Sequence, residues 1–133
     1  GATPVKLYWY VTTGATTATA SQCWVSVLSS AGAILATPVD VATASETSGL
    51  KTTTVAPGAL TANTFVWGAI VCAAAVLPTL ASAPAAALTT LGNVGCATAA
   101  LRFAINGTSQ TTITTRTPAS NTAGPAIWMG LGT

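Results

Sequence analysis

The amino-acid sequence predicts an all-β fold, a jelly-roll-like antiparallel β-sandwich of about eight strands in one domain that covers residues 1–133. Three observations predict this class. Short β-branched or aromatic segments recur at a fairly regular spacing, Gly, Pro, Asn and Ser separate them, and no segment has a helical period with caps. Because the chain starts at Gly1 and shows no signal-peptide pattern, we expect a processed chain or a C-terminal module of a longer one.

The second predicted strand shows most clearly which face should be buried. Alternate residues of a strand point to opposite faces, so Cys23, Val25 and Val27 share one face. We expect that face to lie in the core, with Trp24, Ser26 and Leu28 on the other. The predicted strands are residues 5–12, 22–29, 33–37, 51–55, 65–73, 99–105, 111–116 and 126–131.

Two segments between these strands are predicted as irregular. Residues 40–49 are small and polar, which is typical of a loop or an edge segment. Residues 73–98 are Ala-rich with two prolines, and a long loop, irregular strands and a short helix all remain open there. The length of this stretch indicates an excursion at the surface of the domain.

The apolar run of residues 65–77 could form a strand, a buried helix or a membrane helix. It is shorter than the roughly 20 apolar residues that a spanning helix needs, and Pro78 and Pro84 follow it. No Lys or Arg flanks it as an interfacial anchor. A β-branched segment and a Pro57-Gly58 break come before it, so a strand is the favoured interpretation and no membrane insertion is predicted.

The chain has three cysteines, Cys23, Cys72 and Cys96, and no histidine. None of the cysteines forms a CxxC pair, so the usual zinc spacings are missing and we predict no metal site and no cofactor. Cys23 and Cys72 fall in predicted strands, where a free cysteine packs as a small hydrophobic residue. We therefore expect Cys23 to be a buried, unreactive thiol, and a disulfide between Cys72 and Cys96 is the alternative.

Charged side chains are scarce, at 5% of the chain against about 25% in an average soluble domain. Thr and Ser must supply most of the polar surface, which favours an extracellular or particle-bound protein. The four cations are far apart in sequence, so we predict no nucleic-acid binding. Without histidine no Ser-His-Asp triad can form, and Asp40 and Glu46 lie in one small-residue segment without an aromatic neighbour. We predict no catalytic residue and interpret both carboxylates as capping or solvating a loop.

The aromatic residues are the remaining candidates for recognition. In the first strand Trp9 should point away from the face that carries Tyr8 and Tyr10, so that one set lies in the core. Three other tryptophans are expected in the core rather than on ligand platforms: Trp24, Trp67 and Trp128.

Three segments resemble the β-sandwich modules of virion proteins from tailed phages of actinobacteria, among them minor tail, tail-fibre-like and decoration proteins. The segments are VKLYWYVTTGATTATASQCWVSVLSSAGAILA, VAPGALTANTFVWGAIVCAAAVLPTLASA and TPASNTAGPAIWMGL. The resemblance covers nearly all of the chain in pattern and composition, and it contains no catalytic signature. It implies a non-enzymatic structural module on the virion surface that serves decoration, stabilisation or host adhesion, and it transfers no binding residue.

Two other classes fit the same composition. A subunit of a secreted cellular filament or surface layer would have the same Thr-rich and Ala-rich surface with few charges. A small secreted carbohydrate-binding module would need exposed aromatic side chains.

The composition also predicts assembly. With 50% apolar residues and few charges, a monomer would be poorly solvated, so we expect a homo-oligomer, specifically a trimer, that also contacts other virion proteins. The apolar, proline-broken stretch of residues 73–91 is the candidate contact, through Leu80 and Leu88. A glycan of the host cell surface is a further expected partner.

Overall fold

The computed structural model describes residues 3–62, 64–83, 104–105, 109–117, 122–124 and 126–133. These residues form eleven β-strands, all paired antiparallel, and one single-turn helix, α1 (Ala42–Ser45). The strands are β1 (Lys6–Thr13), β2 (Thr16–Ser29), β3 (Val39–Asp40), β4 (Gly49–Thr54), β5 (Val66–Val76), β6 (Thr79–Leu80), β7 (Ser82–Ala83), β8 (Ala104–Ile105), β9 (Thr122–Ala123), β10 (Ala126–Ile127) and β11 (Met129–Gly132). The predicted class, an all-β antiparallel sandwich, is confirmed.

Two larger sheets contain the long strands. In the first, which we call the β1 sheet, β1 lies between β11 and β4, and β6 pairs with the end of β1. In the second, the β2 sheet, β2 lies between β3 and β5. The remaining described strands form two short pairs, β7 with β10 and β8 with β9.

The core lies between the β1 and β2 sheets. A Cβ atom built on Gly68 of β5 would lie 3.1 Å from the Met129 sulfur of β11, so the two sheets are in direct contact there. The buried cluster takes alternate residues from each central strand, as the sequence predicted for the second one. Its members are Leu7, Trp9, Val11, Cys23, Val25, Val27, Ala36, Val41, Ala42 and Val55.

The apolar run at residues 65–77 forms strand β5, as predicted, and not a helix. Its pairing with β2 extends from Ser29 opposite Val66 to Thr16 opposite Val76, with a register shift between Ala18 and Cys23. In the described part of the chain, no helix has the length and apolar character needed to cross a membrane.

A disulfide joins Cys23 and Cys72, which face each other directly in the β2–β5 register. The prediction that Cys23 is buried is confirmed, but the free-thiol interpretation and the Cys72–Cys96 alternative are wrong. The two cysteines are separated by 49 positions in the chain and have Cα atoms 3.9 Å apart, a proximity that only the strand register creates. Cys96 lies outside the described residues.

Residues 111–116 were predicted as a strand, and the structure shows none there. The Trp24 indole nitrogen donates a hydrogen bond to the Thr111 carbonyl at 3.0 Å, and the Arg116 amide donates to the Gly32 carbonyl at 2.9 Å. Ile113 is buried between these two attachments. The segment is thus held against the β2 sheet by a side chain and a turn rather than by a neighbouring strand.

Three further segments differ in part from the prediction. Residues 33–37 return along β2 with a single bridge, Leu28 opposite Ile34, instead of a full strand. Residues 40–49 include the end of β3 and helix α1. Of residues 99–105 the structure describes the last two, which form β8.

Candidate binding surface

The outer face of the β1 sheet carries exposed aromatic side chains. Alternate residues of β1 point inward, and Leu7, Trp9 and Val11 have no solvent exposure. The intervening residues point outward, where Tyr10 is 41% exposed and Tyr8 is half-buried. The predicted separation of Trp9 from the two tyrosines is therefore confirmed.

The neighbouring strands extend this surface on both sides of β1. Leu50 of β4 lies opposite Tyr10 and is 59% exposed, and Gly130 of β11 lies opposite Tyr8. Trp128, which precedes β11, is 50% exposed. We call the outward-facing set Tyr8, Tyr10, Leu50, Trp128, Gly130 and Gly132 the aromatic face.

Backbone hydrogen bonds fix Trp128 relative to β1. The Ala81 amide donates to the Tyr10 carbonyl at 2.9 Å, and the Trp128 amide donates to the Ala81 carbonyl at 2.9 Å. Ala81, between β6 and β7, therefore links the two aromatic residues through the main chain. This attachment holds Trp128 on a regular part of the fold rather than on a free loop.

Two glycines form the floor of the aromatic face. A Cβ atom on Gly130 would lie 4.0 Å from Cζ2 of Trp128 and 4.0 Å from Cβ of Tyr8, so both aromatic residues border this position. A Cβ atom on Gly132 would lie 2.9 Å from Cε2 of Tyr8. The Tyr8 ring therefore lies over the Gly132 backbone, a position that a larger residue would take from it.

The surroundings of the aromatic face are polar and nearly uncharged. Thr52 and Thr54 of β4 and Thr12 of β1 are exposed on the same side of the sheet. The Thr12 hydroxyl donates a hydrogen bond to the Thr79 carbonyl at 3.0 Å. Among the outward positions of β1, β4 and β11, Lys6 alone carries a charge.

The two carboxylates of the chain bind backbone amides away from this face. Asp40 accepts a hydrogen bond from the Ser21 amide at 2.7 Å and another from the Ala42 amide at 3.1 Å. Glu46 accepts one from the Ala18 amide at 2.9 Å. These contacts hold the irregular first half of β2, where Thr17 and Ser21 have positive φ angles of 52° and 58°.

Of the two predicted oligomer contacts, the structure describes Leu80. Leu80 pairs with Val11 in β6, is half-buried and packs against the core cluster. Leu88 lies outside the described residues. The contact through Leu80 and Leu88 therefore stays a prediction.

Sequence reasoning missed Trp128, which was expected in the core and is half exposed. Trp24 and Trp67 are half-buried in the β2 sheet, where the Trp67 ring makes an edge-on contact with Phe65 at 4.7 Å between centroids. The signal that could have found Trp128 is the alternation of residues 128, 130 and 132. A tryptophan followed by two glycines on one face of a strand leaves the indole without flanking side chains.

The aromatic face offers apolar ring surfaces and neutral hydroxyl groups. The hydroxyl groups of threonine and tyrosine can each donate and accept hydrogen bonds. In the part of the chain that the structure describes, no cluster of three or more His, Cys, Asp or Glu residues could hold a metal ion.

Comparison of the chain with protein-family models, with curated proteins and with solved structures finds no significant match.

Proposed function

We propose that this chain is a non-enzymatic structural module on the outer surface of a tailed-phage virion, where it decorates or stabilises the particle or adheres to the host surface. The observation that carries the proposal is the exposed aromatic face on a charge-poor, disulfide-linked β-sandwich. The resemblance of the sequence to virion modules is the reason for proposing a phage particle as the location.

The disulfide supports an extracellular location. Disulfides persist in oxidising surroundings such as secreted proteins and virion surfaces, and they are rare in the reducing cytosol. The bond between Cys23 and Cys72 links two strands of one sheet and is buried at Cys23. A structural bond of this kind is expected in a protein that works outside the cell.

The exposed side chains support a contact role. Exposed apolar patches on soluble domains frequently mark interaction sites, and Leu50, Tyr10 and Trp128 are all at least 41% exposed on one face. They lie on or next to the central strand of a sheet, so their relative positions are fixed by backbone pairing. A rigid surface of this kind suits attachment to a particle or to a host.

Immunoelectron microscopy with an antibody raised against the purified chain tests this proposal. We expect gold label on tailed particles in a lysate of the producing cells, and loss of the label when the antibody is first absorbed with the pure chain. Label on cellular filaments or on a surface layer, with none on particles, would instead favour a filament or surface-layer subunit and overturn the proposal.

A further inference from the structure

We propose that the aromatic face binds a neutral polysaccharide, laid across Trp128, Tyr8 and Tyr10. This inference deepens the host-adhesion role in the proposed function, and its test uses the isolated chain. The result for polysaccharide binding therefore does not depend on whether the chain belongs to a virion.

The face is shaped for an extended ligand that lies flat. Strand pairing places Tyr8 and Tyr10 two residues apart on one side of β1, about 7 Å along the strand. Gly130, opposite Tyr8, places no side chain between Tyr8 and Trp128. The rings of Tyr8 and Trp128 thus border an open floor at Gly130 that a sugar unit can cover, and the exposed Leu50 beside Tyr10 adds a further apolar contact.

The chemistry of the face matches the two sides of a sugar ring. The carbon–hydrogen face of a sugar can pack on the indole and phenol rings, and its edge hydroxyls need partners that both donate and accept. Threonine and tyrosine hydroxyls provide such partners, and Thr52 and Thr54 are exposed beside the rings. No carboxylate lies on this face, because Asp40 and Glu46 bind the backbone of β2 and α1.

The charge of the face selects a neutral polymer over an acidic one. Binding of a polyanion requires several cations that converge on one surface. Among the outward positions of β1, β4 and β11 there is a single cation, Lys6. An acidic polysaccharide would therefore gain little from this face compared with a neutral one.

The apolar part of this face is small for a stable contact between two copies. A standard protein interface buries about 800 Å² on each partner. The exposed parts of Tyr8, Tyr10, Leu50 and Trp128 sum to roughly 400 Å², given that a whole aromatic side chain buries 150–250 Å². This apolar area matches a few sugar units and is about half of a standard interface. The rest of the exposed face consists largely of threonine hydroxyl groups, which a sugar can bind.

The test measures binding of the full chain to soluble β-1,4-glucan, β-1,3-glucan, α-mannan and galactan, with polygalacturonate as the acidic comparison. Affinity electrophoresis gives the dissociation constants, and a change in tryptophan fluorescence that is lost in Trp128→Ala reports contact with Trp128. We expect at least one neutral polymer to bind and polygalacturonate to bind more weakly.

Two variants locate the site. Trp128→Ala removes a ring, and we expect an affinity loss of about tenfold. Gly130→Val leaves every aromatic ring and every charged group in place but puts a side chain on the floor of the aromatic face. Its Cβ atom would be in ordinary contact with Trp128 and Tyr8, so the fold should accommodate it while binding falls by a similar factor. The matched control is Ile34→Ala, an exposed apolar residue of the β2 sheet, which should bind as the wild type does.

Several results would overturn the inference. These are the absence of binding to all four neutral polymers, preferential binding of polygalacturonate, and wild-type affinity in both site variants. Light scattering could give a fourth contradictory result. If Trp128→Ala or Gly130→Val changes the number of copies in the assembly, the face is a contact between copies instead. An unchanged thermal unfolding midpoint in Gly130→Val shows that a loss of binding is local.

Discussion

Gly32 combines a left-handed backbone with a contact that leaves no room for a side chain. Its φ angle is +84°, and a Cβ atom there would overlap the Arg116 carbonyl. We expect Gly32→Ala to lower the free energy of unfolding by about 2–4 kcal/mol, because backbone strain adds to steric overlap. Gly58 has a φ of +74° and open space around it, so Gly58→Ala should cost about 1 kcal/mol. Urea unfolding of the two variants measures the difference, and equal losses would contradict the role of the Arg116 contact.

Asp40 and Glu46 differ in how many backbone amides they hold. Asp40 uses one oxygen for Ser21 and the other for Ala42, whereas Glu46 holds Ala18 alone. In Asp40→Asn the new amide group can accept only one of the two hydrogen bonds and turns an N–H group toward the other donor. We expect a loss of about 1 kcal/mol for Asp40→Asn and nearly none for Glu46→Gln, whose carbonyl oxygen can keep the single bond.

Amide hydrogen exchange locates this effect. In Asp40→Asn the Ser21 or the Ala42 amide should exchange faster, while amides in the second half of β2 should be unchanged. If Glu46→Gln destabilises the chain as much as Asp40→Asn, charge rather than hydrogen bonding supports the irregular half of β2.

At the scale of elements, the disulfide between β2 and β5 is the strongest single constraint. It closes a loop with a sequence separation of 49, for which the chain-entropy model gives about 4 kcal/mol of stabilisation. Reductant should therefore lower the unfolding midpoint of the wild type, and it should have no such effect on a Cys23→Ala/Cys72→Ala double variant.

Thiol counting gives an independent check of the same bond. After denaturation without reductant, at most one of the three cysteines should be alkylated. Cys96→Ser is the matched control, because reductant should lower its unfolding midpoint as it does in the wild type. Alkylation of all three cysteines without reductant would contradict the pairing.

Strands β1, β4 and β5 are predicted well because the residues within each strand are themselves typical of β-structure. Each has β-branched, aromatic or continuous apolar residues between clear turn signals. The first half of β2, residues 16–21, was missed because its small polar side chains are typical of a loop. Its strand conformation depends on Val76 and Ala74 opposite it and on two carboxylates that are distant in sequence.

The candidate site also combines features that follow from local sequence with features that depend on contacts distant in sequence. The outward position of Tyr8 and Tyr10 follows from alternation along a single strand. The alternation of Trp128 with Gly130 and Gly132 is a local signal for exposure, but the position of Trp128 beside β1 depends on its attachment to Ala81. The cysteine pairing depends on the β2–β5 register and does not follow from local sequence. Residues 111–116 have strand composition, yet they are attached to the β2 sheet through the Trp24 side chain and the Gly32 turn instead of through strand pairing.

For the whole molecule, we expect the purified chain to be a trimer in light scattering. Val76 and Leu77 at the end of β5 are 59% and 60% exposed and belong to the stretch predicted as the contact. Leu77→Asp should therefore reduce the mass to that of a monomer, whereas Leu50→Asp, on the aromatic face, should not. Leu80→Asp is unsuitable for this purpose because Leu80 packs against the core, and a charge there would also unfold the chain. A monodisperse wild-type monomer at high concentration would contradict the expected assembly.

The connection between β4 and β5 is an open target for proteases, with Gly58, Thr61 and Ala62 exposed. A single cut there would leave β1 to β4 in one fragment and β5 to β11 in the other. Each larger sheet contains strands of both fragments, since β1 pairs with β11 and β2 with β5. The Cys23–Cys72 bond also joins the two fragments covalently. A clipped molecule would thus keep its shape and its aromatic face in protease-rich surroundings, and it would separate into two pieces only when it is both reduced and unfolded.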